Sequence, residues 1–191
     1  MSQSIKVLGI SGSLRADSYN TGALRAAQEL VPVGMQITIA DLSDIPHYDQ
    51  DMQSQGVPEA VQTLSEQITQ ADALLFATPE YNHSIPGVLK NAIDWVSRLN
   101  PQPMADKPAA LMSAAMGMSG GALGQYALRQ TVVYLDVHFL NKPEVMIPSA
   151  HKLFDEHGNL NDERTRQHIA KLLIALADWT QRLRVDQETD T

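Results

Sequence analysis

Cysteine is absent from the 191 residues. That removes disulfides, thiolate catalysis and cysteine-built zinc sites together, and a reducing cytoplasm is the expected compartment. No apolar run approaches the roughly 20 residues that a membrane helix needs. A strand pattern begins within a few residues of the N-terminus, so no signal peptide is expected. Basic charge is scarce: 14 Lys and Arg stand against 22 Asp and Glu, for a net charge of −8. A general nucleic-acid binder needs clustered cations and is not expected. Any anionic ligand must be held by local donors rather than by the overall field. The six histidines show no metal-ligand spacing, so no metal site is expected. Dinucleotide and nucleoside-triphosphate fingerprints are missing too. Gly9-Ile10-Ser11-Gly12-Ser13 does not continue as Gly-x-Gly-x-x-Gly, and no Gly-Lys-Ser/Thr follows.

What is present is an alternation of strand and helix. Ile5 to Ile10 reads as a buried first strand. A helix follows with Ala23, Leu24, Ala27 and Leu30 on one face. Met35, Ile37 and Ile39 alternate in a second strand. Asp41 to Gly56 reads as a long irregular connection, and Pro58 opens the next helix. Ala73 to Ala77 is a third strand and Pro108 to Ala114 a fourth. A fifth is expected within Leu140 to Ile147, with Pro143 marking an edge or a bulge. The last helix starts near Asn161 and packs Ile169, Leu172, Leu173, Leu176 and Leu183. The pattern predicts one α/β domain over 1–185, with a disordered tail at 186–191. Five parallel strands with helices on both faces favour the flavodoxin-like order 2-1-3-4-5. The loops after strands one, three and four then meet at one end of the sheet, where ligands sit.

Those three loops are the polar ones. The first carries Ser11, Ser13, Arg15, Ser18 and Asn20 just before a helix. Hydroxyls, an amide, a guanidinium and free N–H groups there suit a phosphate, although helix-capping turns use the same residues. The second runs from Thr78 through Pro79, Glu80, Tyr81, Asn82 and His83 to a helix with Leu89, Ala92, Ile93 and Val96 inward. Ser84 is expected to cap that helix, and Pro86 to sit in its first turn. The third, Met116 to Gly121, lets backbone approach a planar ligand. It also matches Gly-x-Ser-x-Gly at Gly117 to Gly121, so a serine hydrolase using Ser119 is one reading. Against it, Ala115 and Met116 separate the motif from its strand, and the chain is short for that fold.

Three stretches together resemble the NAD(P)H-dependent FMN reductases. They are Gly12-Ser13-Leu14-Arg15 with Ser18 and Asn20; Pro79-Glu80-Tyr81-Asn82-x-Ser84-x-Pro86-Gly87-x-Leu89-Lys90-Asn91-Ala92-Ile93-Asp94-Trp95; and Gly117-x-x-Gly120-Gly121. The runs Gln125 to Gln130 and Asn141 to Glu144 look like the quinone and chromate reductase branch. The resemblance covers roughly residues 5–183. It implies FMN as cofactor, with the phosphate on Ser11, Ser13, Arg15, Ser18 and Asn20. It puts the ring against Pro79, Glu80, Tyr81 and Asn82, and beside the loop from Ser113 through Gly117 to Gly120 and Gly121. It implies ping-pong hydride transfer from NADPH or NADH to the flavin, then to a quinone-like acceptor, with chromate and azo compounds possible. No catalytic side chain is expected, because the ring carries the chemistry. Family members are typically dimers or tetramers, so a homo-oligomer, most naturally a homotetramer, is expected, with Tyr126 and Glu144 as candidate interface residues. Leu123 departs from the pattern, since relatives often carry a basic residue there. The alternative is a flavodoxin-like electron carrier, whose usual phosphate loop Thr/Ser-x-Thr-Gly-x-Thr this chain lacks. Neither tryptophan lies in the three loops, which also disfavours a sandwiched ring of the carrier kind.

Overall fold

The structure, a computed structural model, describes residues 4–189. Its strands are β1 (Ile5–Ser11), β2 (Met35–Ala40), β3 (Ala73–Ala77), β4 (Pro108–Ala114), β5 (His138–Phe139) and β6 (Val145–Ile147). Its helices are α1 (Tyr19–Glu29), α2 (Gln50–Gln55), α3 (Glu59–Gln70), α4 (Gly87–Val96), α5 (Ala122–Val132) and α6 (Glu163–Thr189). Every strand pairing is parallel, in the order β2-β1-β3-β4-β5, with β6 also on β4. The expected order 2-1-3-4-5 is therefore observed.

The period of two along the strands sorts the core into two layers. Leu8, Ile10, Leu74, Phe76, Ala109 and Leu111 face α3, α4 and α5, meeting Leu64, Ile68, Leu89, Ile93 and Leu128. Val7, Leu75, Ala110 and Met112 face the other way, meeting Leu24 and Ala27 of α1 and Ile169, Leu172 and Leu176 of α6. The central strands are covered on both faces, so β3 and β4 read as unbroken apolar runs. Each fully buried Leu or Ile contributes about 1.5–3 kcal/mol, which fixes the sheet against its helices before any loop is considered.

Four expectations change. The strand expected within Leu140 to Ile147 is only β6, on the end of β4, and β5, upstream of that range, pairs with the start of β4. Leu140 to Glu144 separates the two, and it contains Pro143, which has no N–H to give a ladder. The connection from Asp41 to Gly56 is not wholly irregular, because Asp49 accepts the Asp51 N–H at 2.8 Å and starts α2. Ser84 does not cap α4. Pro86 occupies the cap position, and Ser84 pairs instead with Tyr81. Finally, α6 continues to Thr189, beyond the boundary expected at 185; residues 190–191 lie outside the described residues.

Candidate functional site

The register sets the ends of three strands side by side. Ser11 lies opposite Ala77, and Ala77 opposite Met112. The Gly12 N–H donates to the Ala77 carbonyl at 2.8 Å, and the Thr78 N–H to that of Met112 at 3.1 Å. Gly12 allows this approach, since a Cβ there would stand 2.6 Å from Thr78 Oγ1. The loops at 12–18, 78–86 and 115–121 thus share one rim at the carboxyl end of the sheet.

In the first loop the serine hydroxyl oxygens accept hydrogen bonds while several hydrogens are not used; the Asp17 carboxylate, exposed in the same loop, accepts none among the described residues. Ser18 Oγ accepts the Thr21 N–H and caps α1, which leaves its own hydroxyl hydrogen free to donate. Ser13 Oγ accepts the Arg15 N–H at 3.4 Å. Ser11 Oγ lies 2.7 Å from Thr21 Oγ1, and the Ser13 N–H donates to it at 3.3 Å. Asn20 is buried and pinned across the fold. Its Nδ2 donates to the Ala114 carbonyl at 3.0 Å, and its Oδ1 accepts the Ala114 N–H at 2.9 Å. One amide hydrogen remains. Arg15 is exposed, with its guanidinium 5.0 Å from the Tyr19 ring centre. It makes no ion pair among the described residues. A βα turn whose serine and asparagine oxygens are held, and whose remaining hydrogens are unused at a helix start, fits an anion.

The second loop is rigid at its tip. Tyr81 and Ser84 exchange two backbone hydrogen bonds of 2.9 Å. Asn82 and His83 between them both have positive φ, 50° and 61°, so the four residues form a tight two-residue hairpin of the kind Asn tolerates well. Tyr81 is 55% exposed there. Glu80 points elsewhere. Its Oε2 accepts the N–H groups of Leu123 at 2.9 Å and Gly124 at 3.2 Å, in the first turn of α5.

The third loop is held from beneath. Ser113 is buried and donates to the Gly120 carbonyl. The Gln125 amide donates to Ser113 Oγ and to the Val145 carbonyl, both at 2.8 Å. Gly120 and Gly121 have φ of +60° and +87°. A Cβ on Gly121 would stand 2.9 Å from that of Ser113. Gly117 borders open space, and Met116 and Met118 beside it are exposed.

All thirteen sequence-nominated residues lie on or directly beneath this rim, in different roles. Ser13, Arg15, Tyr81, Asn82 and Gly117 reach its exposed side. Asn20, Ser113 and Glu80 connect one segment to another. Sequence reasoning missed Gln125, Thr21 and Gly124. Gln125 stands in the run Gln125 to Gln130 that marks the reductase branch, but nothing in the sequence gives it a role at the site. Ser119 is exposed, and no histidine bonds to it among the described residues, so the hydrolase reading has no partner set. At the opposite end of the sheet Asp106, Asp136 and His138 gather ligand atoms within 4.8 Å, as exposed histidine–carboxylate pairs do without an ion.

An open, donor-rich rim at the carboxyl end of a flavodoxin-like sheet suits a phosphate-bearing ligand. The profile of the NADPH-dependent FMN reductases matches residues 5–152. The NAD(P)H-dependent FMN reductase of Pseudomonas aeruginosa is 59% identical over 184 residues, 96% of this chain and 100% of the relative. The quinone reductase of Escherichia coli K12 is 42% identical over 188 residues, 97% and 100% of the two chains. Among solved structures, FerB, a flavoenzyme NAD(P)H:(acceptor) oxidoreductase from Paracoccus denitrificans, superposes with a TM-score of 0.84 at 33% identity, covering 93% of this chain and 98% of its own. The chain belongs to the NADPH-dependent FMN reductase family. It is an FMN-dependent NAD(P)H oxidoreductase.

Proposed function

We propose that this protein reduces quinone-class acceptors with electrons from NADPH or NADH, on an FMN held by the three loops. The observation that carries the assignment of the site is the excess of unused hydrogens in the first loop. Arg15, the hydroxyls of Ser13 and Ser18 and the remaining Asn20 amide hydrogen lie at or just before the start of α1 and would hold the phosphate. Ser11 braces the loop through Thr21. Pro79, Glu80, Tyr81 and Asn82 would flank the ring on one side, and the segment from Ser113 through Gly117 to Gly120 and Gly121 on another.

Bound FMN would supply the two-electron chemistry, taking hydride from the nicotinamide and passing reducing equivalents to the acceptor. The chain's share is to bind, orient and set the local field. Gly117, bordered by open space, leaves room for a flat substrate at the rim. Quinone as acceptor class is supported by the names of relatives in Escherichia coli, potato and Arabidopsis thaliana; chromate is a second acceptor to assay. Among the described residues no helix is long and apolar enough to cross a membrane, and the cytoplasm is the proposed compartment. A homotetramer is the proposed assembly. Leu123, Tyr126, Val133 and Tyr134 are exposed along α5 and the turn after it, 45%, 55%, 73% and 92% respectively. Tyr126 Oη donates to Glu144 of its own chain at 3.2 Å, so any contact across subunits would add to that bond.

The deciding experiment is anaerobic stopped-flow. The FMN-loaded protein should bleach with NADPH or NADH and recover colour with benzoquinone in a ping-pong pattern. Slow or absent bleaching would return the protein to the electron-carrier reading. Equal reoxidation by chromate and benzoquinone would remove the quinone preference. Light scattering at micromolar concentration tests the tetramer, which a monomeric mass would overturn.

A further inference from the structure

Helix α5 begins without a cap of its own. Gly121 occupies the cap position and offers no side chain. It cannot be exchanged freely for a capping residue, because its φ is +87° and its absent Cβ faces Ser113. The first-turn N–H groups of such a helix need an acceptor, and they attract negative charge. Both needs are met from 43 residues away. Glu80 reaches from the loop after β3 and accepts from Leu123 and Gly124. Gly124 makes the approach feasible, since a Cβ there would lie 3.2 Å from Glu80 Cα.

From this geometry we infer that Glu80 is a positioning residue, which locks the second loop to the third and holds one negative charge at the start of α5. The inference rests on the reading that both loops border FMN. The lock presets the two loops before the cofactor arrives. The charge does something a neutral cap would not. An uncapped helix start beside the ring favours negative charge on it. Glu80 offsets that field, so the ring gains less stabilisation on reduction and remains a stronger reductant. Because the contact uses backbone N–H groups, it does not depend on the side chain of residue 123.

The test compares Glu80→Gln and Glu80→Ala with wild type. Gln retains an acceptor and loses the charge; Ala loses both. Kd for oxidised FMN comes from fluorescence titration, and the midpoint potential of bound FMN from spectroelectrochemistry. Together they give the relative affinity for oxidised and reduced cofactor. In Glu80→Gln, oxidised FMN should bind within threefold of wild type, and the preference for reduced FMN should rise at least threefold. In Glu80→Ala, oxidised FMN should bind at least tenfold more weakly, with faster amide exchange at Leu123 and Gly124 in the apoprotein. A Glu80→Gln potential equal to wild type would overturn the electrostatic role, and an unchanged FMN affinity in Glu80→Ala would overturn the lock. Failure of the underlying site reading shows separately, as FMN that leaves amide exchange at 12–20, 79–84 and 116–121 of the wild-type protein unaltered.

Discussion

The two ends of the sheet differ in how their polar groups are used. At the amino end, Thr69, Asp72, Asp106, Lys107 and Arg184 line a cavity of about 370 Å³. Its charges answer one another. Lys107 Nζ donates to the Ala71 and Thr69 carbonyls at 2.6 and 3.3 Å, capping the end of α3. Arg184 pairs with Asp72, which also accepts the Lys6 N–H at 2.7 Å. Burial lowers the Lys107 pKa, the nearby Asp72 opposing and Arg184 adding to the shift. At the carboxyl end the rim is open, but hydrogens in the first loop have no partner among the described residues. Unused directional donors, rather than concavity, are what single out the proposed site, because a ligand gains little from groups whose hydrogen bonds are already made.

Four substitutions break or sharpen this contrast. The largest effect is expected for Gly121→Ala. Positive φ and the clash with Ser113 should cost roughly 2–4 kcal/mol of stability. Thermal unfolding and FMN titration should show both the fold and the cofactor weakened; a variant as stable as wild type would mean that the third loop is free to relax.

Arg15→Ala should weaken FMN binding by at least ~1.5 kcal/mol, the lower end for a charge-assisted contact. Its stability should be unaltered, since the side chain is exposed. An unchanged Kd in fluorescence titration would remove Arg15 from the phosphate site.

Asp155 probes the bracing of the first loop. It accepts N–H groups from Asn159 at 2.8 Å and His157 at 3.0 Å. The turn it holds brings Gly158 against Asp17 and Gly22. The Asn159 backbone N–H, then its side-chain amide and the His157 N–H, keep the Asp155 pKa below 3.8. The folded value is lower than the unfolded one. The contribution to stability is therefore complete above about pH 4 and is lost as pH falls through the lowered value. Asp155→Asn should flatten the acid end of the stability profile in urea melts between pH 2.5 and 5. It should weaken FMN binding by less than Arg15→Ala does. An acid limb identical to wild type would show that the turn contributes nothing through this carboxylate.

The smallest effect on the cofactor belongs to Lys107→Met at the amino end. FMN affinity should stay within about twofold, well below the tenfold that 1.4 kcal/mol represents. A larger loss would tie the amino end to the site and undo the contrast.

The sequence alone determined the alternation of elements, the parallel order and the rim to examine. Those features depend on local signals. Apolar runs such as Ala73 to Ala77 mark a strand covered on both faces, and Ser18 ahead of Ala23 and Leu24 marks a helix start. Only the tertiary structure decided which atom answers which. Asn20 is a good donor for a loop in sequence, yet both its amide atoms meet Ala114, 94 residues away. Ser84 has the composition of a cap and pairs with Tyr81 instead. Glu80 looks like a loop carboxylate and serves as the cap of α5. The strand expected within Leu140 to Ile147 shortens to β6, because Pro143 has no N–H for a ladder, while His138–Phe139 just upstream takes the start of β4. Propensity and periodicity act over a few residues and survive translation into one dimension. Hydrogen-bond partners are chosen by what the packed core brings within 3 Å, and that choice exists only once the sheet and its two helical layers have closed.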